Sequence, residues 1–150
     1  MIRVANLNDI DSIIEIWKNT LKTDGKCLAI PFRTGIQELI TKRQFYVYIE
    51  DDRVVGFGGF KLMKRKMVIK IVNLCVDINH RKKNIGIKIL KALIEKASKL
   101  NLKFIVECQE GADNNTFWLQ YGKQIALKSC KTMNVKIILL DDNLIRRKFI

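Results

Sequence analysis

Apolar residues recur along the chain with two different periods, which together predict a mixture of helices and strands. A spacing of three and four residues predicts two amphipathic helices. Their apolar positions are Ile10, Ile13, Ile14, Trp17 and Leu21 in the first helix, and Ile85, Ile89, Leu90, Leu93, Ile94, Ala97 and Leu100 in the second. Asn8 is predicted to cap the first helix. Shorter helices are predicted at 36–42 and 114–121, with Gly122 ending the latter.

Runs of β-branched and aromatic residues predict the strands. They lie at residues 2–5, 45–50, 54–63, 67–76, 104–108, 124–132 and 134–140. Asp51-Asp52 and the basic run 64–66 predict hairpin turns, and Met133-Asn134 predicts the last turn. A helix separates strand 67–76 from strand 104–108, so these two strands are predicted to be parallel. The final ten residues are predicted to form a charged, frayed tail.

The resulting order, βααβββαβαββ, predicts one α/β (α+β) domain over residues 1–150. A chain of 150 residues with 48% hydrophobic residues is long enough to bury a core of its own. No apolar run approaches the roughly 20 residues of a membrane helix, and the N-terminus lacks the core of a secretory signal. We therefore expect a cytoplasmic protein with no membrane partner. With a single His and no close pair among four cysteines, no metal site is expected.

The net charge of +13 is concentrated in the second part of the chain. Residues 1–50 hold 7 basic and 6 acidic side chains, whereas residues 51–150 hold 21 and 9. Such an excess favours polyanionic partners such as nucleic acid or a phosphorylated cofactor. Basic clusters at 64–66, 81–83 and 146–148 support nucleic acid, but most aromatic residues lie within apolar strands and not between basic residues, so the sequence shows no platform for stacking bases. Nucleic-acid binding is therefore an alternative that the sequence does not favour.

The segment HRKKNIG follows a predicted strand and opens a predicted helix, where unpaired backbone N–H groups attract an anion. Arg81, Lys82 and Lys83 add positive charge at the same point. Asn84 tolerates a left-handed backbone, and Gly86 leaves space where a ligand comes close. The pattern predicts a phosphate-binding loop.

Three segments of the chain carry a resemblance to a known family. They are Leu74-Cys75-Val76 followed by Arg81-Lys82-Lys83-Asn84-Ile85-Gly86, then Gly56-Phe57-Gly58-Gly59, and finally Phe117-Trp118-Leu119-Gln120-Tyr121-Gly122. At these residues the chain resembles the GNAT superfamily of N-acetyltransferases, whose cofactor motif is Arg/Gln-x-x-Gly-x-Gly/Ala after such a strand. Asn84 departs from the first Gly of that motif. The resemblance implies a GNAT-like central mixed sheet of six or seven strands with about four helices.

The resemblance also implies a pose for acetyl-CoA between strands 67–76 and 104–108. The pantetheine arm would bond to the backbone of Leu74 and Val76, and the pyrophosphate to N–H groups from Lys82 to Ile87. The residues implied in cofactor binding are Leu74, Cys75, Val76, Arg81, Lys82, Lys83, Asn84, Ile85, Gly86, Ile87 and Trp118.

The catalytic groups are less clearly marked. Family members commonly use a Tyr as the acid for the leaving thiolate, and the position that resembles it holds Trp118, whose indole does not release a proton at neutral pH. Tyr121, three residues on, is the candidate catalytic residue, with water as the other proton source. No general base stands out; Glu107, Asp77 and His80 are weak candidates. Cys75 and Cys108 lie near the expected thioester, but neither has a His partner. The catalytic candidates are therefore Tyr121 and, as alternatives, these weaker groups.

The resemblance implies direct transfer of an acetyl group from acetyl-CoA to an unidentified amine acceptor. A catalytically inactive CoA-binding protein of the same fold is an alternative, because Asn84 and Trp118 depart from the family pattern. Residues 21–35 and the turn at Met133 are expected to form the acceptor wall. Its basic residues, Lys22, Lys26 and Arg33, with only Asp24 opposing, favour a neutral or acidic acceptor. The sequence does not decide between a monomer and a homodimer.

Overall fold

The computed structural model describes residues 1–24, 33–109, 115–130 and 133–148. Within these ranges, seven strands and five α-helices form in the predicted order, with one more helix at the end. The strands are β1 (Ile2–Val4), β2 (Phe45–Glu50), β3 (Arg53–Met63), β4 (Val68–Val76), β5 (Lys103–Gln109), β6 (Gly122–Cys130) and β7 (Met133–Leu140). The helices are α1 (Ile10–Asp24), α2 (Arg33–Thr41), α3 (Ile85–Ala97), α4 (Asn115–Leu119) and α5 (Asp142–Arg146).

All seven strands join one mixed sheet in the order β1-β2-β3-β4-β5-β7-β6. Both predicted hairpins, β2–β3 and β3–β4, are antiparallel. Asp51 and Asp52 have φ angles of 51° and 58°. Two successive left-handed residues are what a two-residue turn needs to match the twist of its strands. The mixed α/β fold with a seven-stranded sheet is confirmed.

The parallel pairing of β4 with β5 is confirmed, but it is short. It joins Val68, Ile69 and Lys70 to Lys103, Phe104 and Ile105. Beyond Lys70, β4 continues beside β3 and β5 continues beside β7, so the two central strands diverge. A bulge interrupts β4 at Asn73, whose φ is 56°. The sheet therefore opens into a wedge between the C-terminal halves of β4 and β5.

Helices cover the sheet on two faces. The larger core packs α3 against β3, β4 and β5, with Ile89, Leu90 and Leu93 fully buried. The smaller core packs α1 and α2 against β2 and β3 around Phe45 and Phe57. The α3 face is dense: a Cβ added at Gly58 would lie 3.0 Å from Leu74 Cδ1 and 3.2 Å from Ile89 Cγ2.

Three local predictions were wrong. Asn6, not Asn8, caps the start of the first helix, and Asp9 bonds back to the Asn6 backbone to form a capping box. Gly122 begins β6 and does not terminate a helix; a Cβ there would clash with the backbone of the neighbouring β7 strand. Met133 and Asn134 pair with Cys130 and Ser129 and so belong to β7 instead of the turn.

The C-terminal tail is also different from the prediction. Residues 142–146 form α5, which is capped by the Asp141 carboxylate accepting from Leu144 N at 3.0 Å. Ile145 is completely buried in the core beside α3. Lys91 Nζ on α3 donates to Lys148 O at 2.8 Å. Ile145, an apolar residue within a charged segment, therefore packs this segment against α3.

Candidate active site

The open edge of β4 presents backbone groups to the wedge. Asp77 N–H donates to Val55 O on β3 at 2.8 Å. Backbone direction alternates along a strand, so Val76 and Leu74 direct their N–H and C=O groups away from β3, towards the wedge. These are the two residues predicted to hold the pantetheine arm. The bulge at Asn73 lies directly before them, and bulges commonly re-aim the backbone beside active sites.

Arg81 joins the end of β4 to the predicted phosphate loop. Its Nε donates to Val76 O at 3.1 Å, which uses the carbonyl of that residue and leaves its N–H directed at the wedge. The loop between β4 and α3 is therefore fastened to the strand by a side chain that the sequence suggested as a phosphate ligand.

The loop itself has an unusual backbone. Lys82 and Asn84 both adopt left-handed conformations, with φ angles of 65° and 63°. Asn84 thus adopts the left-handed backbone that it was predicted to tolerate, and Lys82 adopts one too. Concave backbone of this kind gathers successive N–H groups into an anion-binding nest.

The N-terminus of α3 lacks a cap of its own. Asn84 is the N-cap residue, but its side chain makes no capping hydrogen bond. The first helical bond runs from Lys88 N–H to Asn84 O at 3.1 Å. The N–H groups of Ile85, Gly86 and Ile87 precede this ladder and are the natural donors to a bound anion. The side chains of Ile85 and Ile87 are buried and hold the helix end in place.

The space at Gly86 is not required by the protein. A Cβ there would lie 3.8 Å from its three nearest atoms, which belong to the Phe117 ring and to Val76 Cγ2. That is an ordinary van der Waals distance, so packing alone does not select glycine. Gly86, Val76 and Phe117 therefore form a cradle with free space at the start of α3, and Lys83, with Nζ 3.6 Å from Glu50 Oε1, lies in the same loop.

Three aromatic residues pack beside this cradle. Phe117 makes edge-on contacts with Trp118 and Tyr121, at centroid distances of 5.0 and 5.4 Å. Trp118 and Tyr121 are buried, whereas Phe117 is the ring nearest to Gly86. Within the described part of the chain, the Tyr121 hydroxyl makes no hydrogen bond. The sequence pointed to Trp118 as the cofactor residue and missed Phe117, although both stand in the same motif.

Glu107 points to the face of the sheet opposite α3. Its neighbours Val106 and Cys108 join the α3-side core, and strand alternation turns Glu107 the other way. Its Oε2 lies 3.1 Å from Lys70 Nζ, and both side chains are mostly buried. The ion pair spans β4 and β5 at the point where they begin to diverge.

The other candidate groups are less well placed. Burial raises the pKa of the Cys108 thiol to about 12, despite an opposing effect of Lys136, so this thiol is neutral at physiological pH. Cys75 Sγ lies 3.2 Å from Thr20 Oγ1 on α1. His80 Nδ1 lies 2.8 Å from Asp77 Oδ2, so these two candidate groups contact each other beside the loop.

The predicted acceptor wall falls partly outside the described residues. Positions 25–32 and 131–132 are not described, and the side chains of Lys22, Asp24 and Lys26 lie outside them too. Arg33 is described, and its Nη2 lies 2.6 Å from Asp11 Oδ1. Asp24 is therefore not the only carboxylate opposing the basic residues. Asp11 and Arg33 also line a cavity of about 390 Å³, and none of its lining residues is a predicted cofactor residue.

None of the helices in the described ranges is long and apolar enough to cross a membrane. Within the same ranges, no group of three or more His, Cys, Asp or Glu side chains is placed to hold a metal ion.

Comparison with known proteins identifies the class that this geometry defines. Residues 11–118 match the acetyltransferase (GNAT) family. The chain therefore belongs to that family, as its motifs predicted. No curated protein matches the chain.

Solved structures agree with this assignment at the level of the fold. Ard1 from Thermoplasma volcanium superposes with a TM-score of 0.76 at 20% identity, over 94% of this chain and 97% of its own. The paia N-acetyltransferase from Thermoplasma acidophilum, in complex with coenzyme A, gives 0.74 at 12% identity over 91% and 96%. The yncA protein from Salmonella typhimurium, with its cofactor acetyl-CoA, gives 0.73 at 16% identity over 95% and 93%. Membership of the acetyltransferase family supports acetyl-CoA as the co-substrate.

Proposed function

We propose that the protein is an N-acetyltransferase that uses acetyl-CoA and passes the acetyl group directly to an amine. The observation that carries the proposal is the combination of an open β4 edge with an uncapped α3 N-terminus at its end. The first is an edge on which an extended arm can add like a strand, and the second is a site for phosphate. Their succession in one strand–loop–helix unit matches the shape of a molecule with a pyrophosphate followed by a long amide-containing arm.

The residues that would hold acetyl-CoA follow from this arrangement. Leu74 and Val76 would bond to the pantetheine amides through their backbone. Backbone N–H groups from Lys82 to Ile87 would hold the pyrophosphate, and Phe117 would line the cradle beside Gly86. Arg81 would keep the loop in position through the Val76 carbonyl. Acetyl-CoA would supply an activated thioester at the wedge.

The acceptor would approach from the α1 and α2 face, because α3 covers the other face. Glu107 is the one carboxylate carried by β4 and β5. We assign it the task of attracting the acceptor ammonium and taking its proton, directly or through water. Lys70 would hold the carboxylate beside the wedge. A general base contributes about 10²–10⁴-fold to such a reaction.

Direct transfer is preferred to a covalent acetyl-cysteine route. A thiol with a pKa of about 12, as at Cys108, carries almost no thiolate at neutral pH. The single His of the chain, His80, has its Nδ1 2.8 Å from Asp77 Oδ2. The leaving CoA thiolate would take its proton from water or from Tyr121.

The test is release of CoA thiol in the presence of amine acceptors: a peptide N-terminus, a lysine peptide, an amino acid and a polyamine. We expect at least one acceptor to accelerate release. With that acceptor, Glu107→Gln should lower kcat by about 10²-fold or more while acetyl-CoA binding is retained. Glu95→Gln, an exposed carboxylate on α3, is the matched control and should behave as wild type.

Two results would contradict the proposal. Tight acetyl-CoA binding without thiol release for any acceptor would favour the inactive CoA-binding alternative. Full activity in Glu107→Gln would remove Glu107 from the mechanism and leave deprotonation to water.

A further inference from the structure

The outer edge of β6 is a long strand edge without a partner in the described part of the chain. β6 is the last strand of the sheet, and every residue from Lys123 to Ser129 is exposed. Ile125 and Leu127 are 52% and 55% exposed, although both are large apolar residues. A strand edge carries unpaired N–H and C=O groups and accepts another strand readily.

A bulge determines which side chains share a face of β6. The register with β7 shifts between Gln124 and Ala126, so Ile125 is the extra residue. Lys123 pairs with Leu139 and Lys128 pairs with Val135. Because residues 139 and 135 are an even number apart on a regular strand, both lysines project from one face. Without the bulge, two lysines five positions apart would project from opposite faces.

The charge of this edge argues against a second copy of the chain as its partner. Between residues 122 and 140 the sequence has no carboxylate and four basic residues, Lys123, Lys128, Lys131 and Lys136. Two copies paired through β6 would therefore have no opposite charges to match in any register, and lysines and bulges commonly keep edges from self-association. An acidic peptide would supply carboxylates to both lysines and hydrogen-bond partners to the backbone groups of the edge.

We propose that the β6 edge binds an extended acidic peptide segment, which adds to the sheet as an eighth strand. Its carboxylates would lie four residues apart, because β7 spans the distance from Lys123 to Lys128 with four residues, 139 to 135. An apolar residue between them would lie beside Leu127. This surface is separate from the wedge between β4 and β5, so the inference does not depend on the proposed reaction.

The probe is a blocked, fluorescein-labelled peptide with the central residues Glu, Val, Thr, Val and Glu, which reads the same in both directions. Its control has the same composition in the order Glu, Val, Thr, Glu and Val, so that its carboxylates project from opposite faces. Fluorescence anisotropy should show binding of the first peptide and about three- to tenfold weaker binding of the control. Methylation of alternate backbone nitrogens should abolish binding for one of the two possible sets only, because only one set faces β6.

The matched variants are Lys123→Glu with Lys128→Glu, and Lys64→Glu with Lys66→Glu at the exposed β3–β4 turn. Both pairs change the net charge equally. We expect the first to weaken binding about tenfold or more and to gain affinity for a peptide with Lys in place of Glu, and the second to have little effect.

Several results would overturn the proposal. The proposal would be wrong if the peptide did not bind at millimolar concentration, or if both peptides bound with equal affinity. It would also be wrong if both variants lost affinity equally, or if neither set of backbone methylations affected binding. A dimer that Lys123→Glu with Lys128→Glu dissociates would assign the edge to a second copy. Displacement of the peptide by a DNA oligonucleotide, with no difference between the two peptides, would assign it to nucleic acid.

Discussion

Along one edge β4 pairs with β3 over nearly its whole length, whereas along the other it pairs with β5 only from Val68 to Lys70. On the paired side, β3 is itself packed tightly against the start of β2: a Cβ at Gly59 on β3 would lie 2.7 Å from Phe45 Cδ2 and 2.9 Å from Gln44 O. The open edge ends in a cradle with room for a Cβ at Gly86. One side of β4 thus belongs to the continuous sheet, whereas the other is the proposed cofactor edge.

The largest expected effect tests the open edge. Gly86→Glu places a carboxylate at the anion site, so we expect it to abolish the rise in melting temperature that acetyl-CoA produces in the wild type. The fold should survive, since an acidic residue in the first turn of a helix is favourable. Gly35→Glu is the control: it makes the same substitution on α2, where nothing lies within 4 Å, and should keep the shift. An unchanged shift in Gly86→Glu would place the pyrophosphate elsewhere.

The next effect compares an alanine on β3, where it faces β2, with an alanine in the cradle at the end of the open edge of β4. Gly59→Ala forces a Cβ against Phe45 and Gln44 and should lower the free energy of unfolding by about 1–3 kcal/mol. Gly86→Ala should leave it unchanged or raise it by up to about 1 kcal/mol, because Ala is the better helix former. Only Gly86→Ala should weaken acetyl-CoA binding at constant stability. Urea unfolding without ligand, and titration with acetyl-CoA, measure the two quantities. Equal destabilisation by both substitutions would mean that Gly86 serves packing too.

The smallest effect concerns the proton for the leaving thiolate. We expect Tyr121→Phe to change kcat by less than about threefold, because CoA thiol leaves readily and water can protonate it; acid catalysis by Tyr121 would instead cost about 10²-fold. The measurement is kcat with one confirmed acceptor, at a melting temperature equal to that of the wild type. Trp118→Tyr is the companion variant. Activity in Trp118→Tyr but not in the wild type would show that the natural protein does not catalyse the reaction.

The difference between the two edges of β4 also explains which features of the structure could be predicted from the sequence. Hairpins formed where charged or basic turns separate β-rich runs, because turn and strand preferences act over a few residues. The phosphate loop could be predicted from Arg81 to Gly86, since the chemistry expected of it is concentrated in one short segment. Phe117 and Lys70 were not assigned to the site, and Glu107 was only a weak candidate, because the residues that meet there come from separate strands and helices.

The sequence by itself determined the order of the elements, the two hairpins, the parallel unit around α3, and the family. These depend on periodicity and on contiguous motifs, which are local properties of the chain. Only the tertiary structure decided that β4 and β5 part after three residue pairs, that Ile145 anchors α5 beside α3, and that a bulge at Ile125 aligns two lysines. Each of these depends on register or packing between segments far apart in the chain, and a single residue of register moves a side chain to the opposite face of a sheet.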